Sequence, residues 1–418
     1  MNKLLSELDA KELLEKYGSP LFIVDESKII YQYQQIKQKF TKFYPNTEIA
    51  YAYKANYLLE ICNLINRQDG LAEVISGFEY QIVKLLGIKG NKIIVNGPYK
   101  PTEELNSIIE EGCIINADNI NEFEKINEIA EKQNMIVNVG IRINAKIGKL
   151  PWSKFGFNVE SKEAFNVTQI IKNKFTNLNL NGIHIHIGTN LTNVNLYKES
   201  ISIILNFIEE LKNKLGIKIN YIDLGGGFAT EACPAECDFK EWKVPDIEEY
   251  AKAICEPLNR FFENETDKPT LILEPGRYLV DGAISLATSV ITVKSISGIR
   301  SVFVDAGVNI LPSAFYRKHK IEALTDNIEK ELTDVYGPLC MNVDLLESGI
   351  MLPKVGVGDI LIIQNAGAYE LSQSMQFTRL RPAVIGIKEN GKISLLRRKE
   401  TIEDIIRLDV FNNRLVAI

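Results

Sequence analysis

The stretch EIAYAYKANYLLE, residues 48–60, runs a short apolar, aromatic-rich segment straight into a lysine, Lys54. Its first half, EIAYAY (48–53), has the composition of a buried strand. A buried ammonium is costly unless it is paired or deprotonated, so a lysine on the rim of a core is either reaching for water or held for chemistry. Taken alone, Lys54 reads as a surface lysine at a strand end. The rest of the chain changes that balance.

Seven further runs of the same kind follow: LAEVI (71–75), KIIVN (92–96), CIINA (113–117), IVNVGIRI (136–143), NGIHIHI (181–187), KINYIDL (218–224) and TLILE (270–274). Between them lie segments with apolar residues at helical spacing, among them TEELNSIIEEG (102–112), NEFEKINEIAEKQ (121–133) and LYKESISIILNFIEELKNKLG (196–216). Eight strand–helix units over about 250 residues is the arithmetic of a (β/α)8 TIM barrel, an α/β fold whose active site lies at the carboxyl ends of its strands. After residue 280 the texture changes to AISLATSVITV, SVFVDAG, DILIIQNAGAY, PAVIGI and KISLLRR, short strand-like runs without long helices. These predict a C-terminal, mainly antiparallel β domain. The isolated segment PLFIVD (20–25) is expected to pair into it. The expected organisation is residues 1–25 joining the β domain, 26–278 as the barrel and 279–418 as the β domain.

Bulk properties exclude several functions. The 418 residues are 45% hydrophobic and 24% charged, with a net charge of −6, so no basic surface for nucleic acid or an anionic membrane is expected. The N-terminal MNKLLSELDAKELLEKYG is too acidic for a signal peptide, and the longest weakly polar run, Gly282 to Val293, is shorter than the roughly 20 residues of a membrane span. Six scattered cysteines without a framework suit a reducing cytoplasm. Cys233 and Cys237 have no second cysteine pair, and the histidines are 184, 186 and 319, so no metal is expected.

The residues that look odd for a core fall at the predicted strand ends. They are Lys54, Glu73 with Ser76, His186-Ile-Gly188-Thr189, Gly225-Gly226-Gly227 and Glu274-Pro-Gly276-Arg277. A triple glycine after a strand lets backbone N–H groups approach an anion, although a glycine cluster by itself is more often just a turn. Lysine, phosphate loop, stacking ring and buried carboxylate together make the inventory for pyridoxal phosphate, with Glu274 as the partner of the ring nitrogen. His184 is assigned to packing and His319, in YRKHK, to the surface. Glu73 either orients Lys54 or caps the following helix.

Several stretches carry a family resemblance: YAYKAN, EVISGFE, KFGF (154–157), HIHIGTN, DLGGGF, EPGRYLV, VDAGVN, GPLC (337–340) and NAGAY (365–369). In this order they resemble the pyridoxal-phosphate-dependent decarboxylases built of a barrel and a β domain, the group holding diaminopimelate decarboxylase and the eukaryotic-type ornithine decarboxylases. The resemblance runs from about residue 20 to residue 400. It implies that Lys54 carries the cofactor as a Schiff base and that His186 stacks on its ring. Gly225, Gly226, Gly227, Gly276 and Arg277 would hold the phosphate or the substrate carboxylate, and Thr189 stands where the family usually has serine. It further implies that Cys340 reprotonates Cα from the partner subunit of a homodimer and that Tyr369 lines the site.

Two segments depart from the diaminopimelate decarboxylase pattern. The family's RPxLY reads LPSAF (311–315) here, and its CESxD reads CMNVD (340–344), so Leu311 replaces the arginine and Met341 the glutamate that grip the far end of the substrate. Truncating one side of a buried charge-assisted contact costs about 2–5 kcal/mol. Asp344 remains, where ornithine-type relatives have an aspartate near the distal amine. Phe315, Leu311, Met341, Asp344, Tyr369 and Arg277 are the candidate substrate contacts. The expected function is decarboxylation of an amino acid or an intermediate- or carrier-linked aminoacyl unit with altered distal recognition. The alternatives are authentic diaminopimelate decarboxylation in lysine synthesis, amino acid racemisation and, outside catalysis, a cofactor carrier.

Overall fold

A computed structural model describes residues 10–150 and 153–410, and in it all eight apolar runs are parallel strands. After β1 (Leu21–Asp25) come β2 (Thr47–Ala52), β3 (Leu71–Val74), β4 (Ile93–Val95), β5 (Ile114–Ala117) and β6 (Val137–Asn144). The two-residue β7 (Phe157–Asn158) precedes β8 (Leu178–His184), β9 (Tyr221–Asp223) and β10 (Thr270–Leu273). Leaving out β7, the strands pair in chain order, and β10 returns to β2 to close an eight-stranded barrel. β3, β4 and β9 are buried along their whole length, as strands must be when covered on both faces, which is why they read as unbroken apolar runs.

Ala50, Leu71, Ile94, Tyr221 and Ile272 form a packed cluster of barrel-strand residues. The tyrosine needs room that its neighbours concede: a Cβ on Gly182 would lie 1.9 Å from its ring, and one on Gly140 2.3 Å from its hydroxyl. Side-chain caps start the helices that follow the strands. Ser76 accepts from the Glu79 N–H, Asn119 from the Glu122 N–H, and Asp246 with Glu249 forms a capping box.

The second sheet is built from β1, β11 (Ile284–Ile296), β12 (Ile299–Val304), β13 (Ile321–Leu324), β14 (Lys330–Tyr336), β15 (Leu345–Pro353), β16 (Ile360–Ile363), β17 (Ala383–Ile387) and β18 (Ile393–Arg397). Its pairings are antiparallel except β1–β17 and β12–β14. PLFIVD thus forms an internal strand between β11 and β17. β13, β14 and β15 were not expected from the sequence: none is buried along its whole length, and β14 is rich in charged and polar residues.

The chain divides into two compact units: Ile29–Thr230 with Lys243–Leu279, and the chain up to Lys28 with Glu231–Trp242 and everything from Val280 onward. Glu231–Trp242, expected with the barrel, joins the sheet unit instead. The Ala235 N–H donates to Tyr316 O, the Lys318 N–H to Cys233 O and Lys318 Nζ to Cys237 O.

Candidate active site

Within the barrel unit, Lys54 sits in a single 3-10 turn, Tyr53–Ala55, directly after β2. Its Nζ donates to Glu73 Oε2 at 2.6 Å, and Glu73 on β3 is 1% exposed. The cap of the next helix is Ser76, so Glu73 serves the lysine.

From Glu73 a buried polar network crosses the barrel. Asn96 Nδ2, just past β4, donates to Glu73 Oε1 at 3.1 Å and to Glu274 Oε1 at 2.6 Å. Asn116 Nδ2 on β5 donates to Asn96 Oδ1 at 2.9 Å and to Asp223 Oδ2 at 3.2 Å, while its Oδ1 accepts from the Tyr221 hydroxyl at 2.8 Å. Burial and the neighbouring charges of Asp223 and Glu73 push the Glu274 carboxyl well above the ordinary carboxylate range, and burial also pushes Asp223 up.

The glycine loop follows β9. Gly225 and Gly227 have φ of 64° and 96°, conformations that favour glycine. The Gly226 N–H donates to His186 Nδ1 at 3.2 Å, and a Cβ on Gly225 would lie 2.5 Å from that nitrogen. His186 is therefore an acceptor at Nδ1. Burial, then the Lys54 and Arg142 charges, push its pKa down to about 3, so the ring is neutral although it keeps some solvent contact. Tyr197 supports the loop from beneath, its hydroxyl donating to Gly226 O at 2.9 Å and its ring stacked on Phe228. At the end of β10, a Cβ on Gly276 would lie 2.8 Å from Ala55 Cβ, so the two turns carrying Arg277 and Lys54 are in close contact. Thr189 is exposed and Arg277 is buried.

His184 is buried within the barrel. Residues two apart on a strand share a face, and His184 Nε2 lies 3.8 Å from Glu274 Oε2 inside the barrel. Asn96, Asn116 and Asp223 were not singled out from the sequence. Their signal was a polar residue within an otherwise apolar run of a strand buried on both faces.

In the sheet unit, the remaining candidates fall into two loop pairs. Asp344 is buried, its Oδ1 accepting the Val308 N–H at 2.8 Å and its Oδ2 the Leu339 N–H at 2.7 Å, so its carboxylate ties VDAGVN to GPLC. Cys340 is an exposed free thiol and Met341 is half-buried. In the second pair, Ser313 and Arg317 both bind Glu370, joining LPSAF to NAGAY. Leu311 is fully buried, Phe315 exposed, and Tyr369 has a φ of 75°. His319 is buried, not exposed as the sequence suggested: its ring meets Ser313 Oγ at 2.7 Å and Gln364 O at 3.1 Å.

Residues 26–281 match the family described as pyridoxal-dependent decarboxylase, pyridoxal binding domain. The chain belongs to the pyridoxal-dependent decarboxylases. Among its relatives, a diaminopimelate decarboxylase of Methanocaldococcus jannaschii is 33% identical over 96% of this chain and 93% of its own. The crystal structure of diaminopimelate decarboxylase from M. jannaschii in complex with L-lysine superimposes with a TM-score of 0.90 at 33% identity, covering 96% of this chain and 94% of that one. The Helicobacter pylori diaminopimelate decarboxylase complexed with L-lysine gives 0.86 at 28% identity, covering 96% and 99%. As in the rest of this decarboxylase family, the cofactor is pyridoxal phosphate, and the donor set fits it: an amine at a strand end, a deeply buried carboxyl, a neutral flat ring and a glycine loop. Among the described residues, no helix is long and apolar enough to cross a membrane.

Proposed function

We propose that the protein removes the α-carboxylate of an amino acid, free or carried on a larger intermediate, whose far end lacks the second carboxylate of meso-diaminopimelate. The observation that carries this reading is the commitment of Arg317. This arginine ends the 311–317 loop, and its Nη1 engages both oxygens of Asp281 at 3.1 and 2.9 Å. Its Nη2 donates to Asn365 O at 2.5 Å and to Glu370 Oε1 at 2.8 Å. Residues 311–316 add no other cation: Leu311 is fully buried, and half-buried Met341 is apolar, so a distal carboxylate would have to be desolvated to meet it.

Bound pyridoxal phosphate supplies an electron sink for the pair released when a bond at Cα breaks. Lys54 would hold it through Nζ, with Glu73 keeping that amine oriented. Glu274 would face the ring nitrogen and neutral His186 the ring face. Gly225 to Gly227, Gly276 and Arg277 would hold the phosphate or the substrate carboxylate, with Thr189 at the rim. Cys340 holds the proton that returns to Cα, and we assign it to the partner's site in a homodimer, so that a monomer has the barrel residues but no donor.

The test is CO2 release from a panel that pairs meso-diaminopimelate with amino acids lacking the distal carboxylate, both free and carrier-linked. The expected kcat/KM for meso-diaminopimelate is lower by the about 2–5 kcal/mol of a missing charge-assisted contact, roughly 30- to 5,000-fold. The second reading, meso-diaminopimelate as the true substrate, is favoured by the name its relatives carry. It prevails if that compound is turned over best.

A further inference from the structure

The mechanism above uses Glu274 but leaves Asp223 without a task. Asp223 is 0% and Glu274 3% exposed, and one ligand atom each of these two and of His184 lie within 4.8 Å of one another. The two carboxyls therefore face each other at close range in a space closed to water. Ionised carboxylates only accept, so two carboxyls this close can bond to each other only through a proton. The surrounding cations are engaged with other acids: Lys54 with Glu73 at 2.6 Å, Arg142 with Asp118 at 3.6 Å and Lys100 with Glu122 at 3.1 Å. His184, next to Glu274, is neutral because burial, then the charges of Arg142, Lys54 and Lys100, hold its pKa far down. Two like charges in this dry interior, facing Glu73 as a third, cannot all be ionised.

We propose that Asp223 and Glu274 share a single proton, and that Asp223 is the positioning residue that keeps it on Glu274. The distribution follows from the donors. Asp223 accepts two, the Gly225 N–H at 3.0 Å and Asn116 Nδ2 at 3.2 Å, whereas Glu274 accepts one, from Asn96. Hydrogen bonds to the ionised form favour it, so Asp223 is the carboxylate and Glu274 the acid that donates to it. Glu274 would release that proton to a ring nitrogen held against it, its O–H bond breaking as an N–H bond forms and the electron pair staying on its carboxylate. This last step rests on the role proposed for Glu274 above; the shared proton does not.

The experiment separates the two parts. Infrared difference spectra of the full-length protein stripped of cofactor should contain a protonated-carboxyl band at pH 7 that shifts in D2O and is absent in Glu274→Gln. In Asp223→Asn, where the like charge is gone, the pH midpoint of that band should fall by about one unit or more. Should Asp223→Asn not fold, Asn116→Ala, which removes one donor from the ionised Asp223, should raise the midpoint instead. Absence of a band that Glu274→Gln removes, or a midpoint that neither variant moves, overturns the shared proton. Calorimetry of cofactor loading in two buffers of different ionisation enthalpy tests the second part: Asp223→Asn should take up about one proton more from solvent than the wild type. A shared proton with equal uptake in both proteins overturns only the transfer from Glu274.

Discussion

The barrel's strand ends and the loops of the sheet unit carry two different kinds of polar cluster. At the strand ends, the acids Glu73, Asp223 and Glu274 face a single lysine and are tuned by asparagines. In the sheet unit, one arginine, Arg317, faces two acids, and the cluster is closed by Ser313 and His319. The first cluster has an excess of carboxyl groups that a cofactor can use. The second is internally balanced and works as a clasp between loops. Its lesson is that an arginine close to the altered substrate-end segment is not thereby available to a substrate.

The sharpest break is Lys54→Ala, which should abolish CO2 release with every substrate while leaving the unfolding midpoint within a few degrees of wild type, since Lys54 is about a third exposed and Glu73 keeps the bond from Asn96 Nδ2. Arg317→Met should do the reverse. It strands Asp281 and Glu370, both fully buried, and a denaturant titration should record a loss of about 3–5 kcal/mol. A stable Arg317→Met enzyme that also gains meso-diaminopimelate turnover would refute the clasp. Tyr197→Phe should be milder: losing one bond to Gly226 O costs about 1 kcal/mol, read as a roughly fivefold weaker hold on the cofactor.

The smallest effect concerns Glu79, which accepts the Ile75 N–H at 2.7 Å and whose pKa burial pushes up to about 7. Because the folded value lies above the unfolded one, its contribution is complete below about pH 4.5 and is lost as pH rises through about 7. Glu79→Gln should therefore flatten the decline of the melting temperature between pH 5 and 8 by a few degrees. An unchanged slope would show that other buried acids, Glu274 and Glu370 among them, set the decline.

Much of the barrel was legible before any coordinates. KIIVN, CIINA and KINYIDL read as strands because parallel strands covered on both faces admit few polar residues, and Lys54, the Gly225–Gly227 loop and Glu274 stood out at their ends. The sheet unit was less legible. KELTDVY forms β14 with an alternating, half-exposed pattern, and YRKHK hides a buried histidine among charged neighbours.

The sequence by itself determined the periodicity, the order of motifs and the presence of Leu311 and Met341 in LPSAF and CMNVD, because these are properties of residue type and spacing along the chain. Only the tertiary structure decided that Glu73, Asp223 and Glu274 share one dry space, that Arg317 is committed and that Asp344 clamps a loop. These residues are brought together from distant parts of the chain, and the energy of a charge depends on its distance to other charges and to water, neither of which spacing encodes.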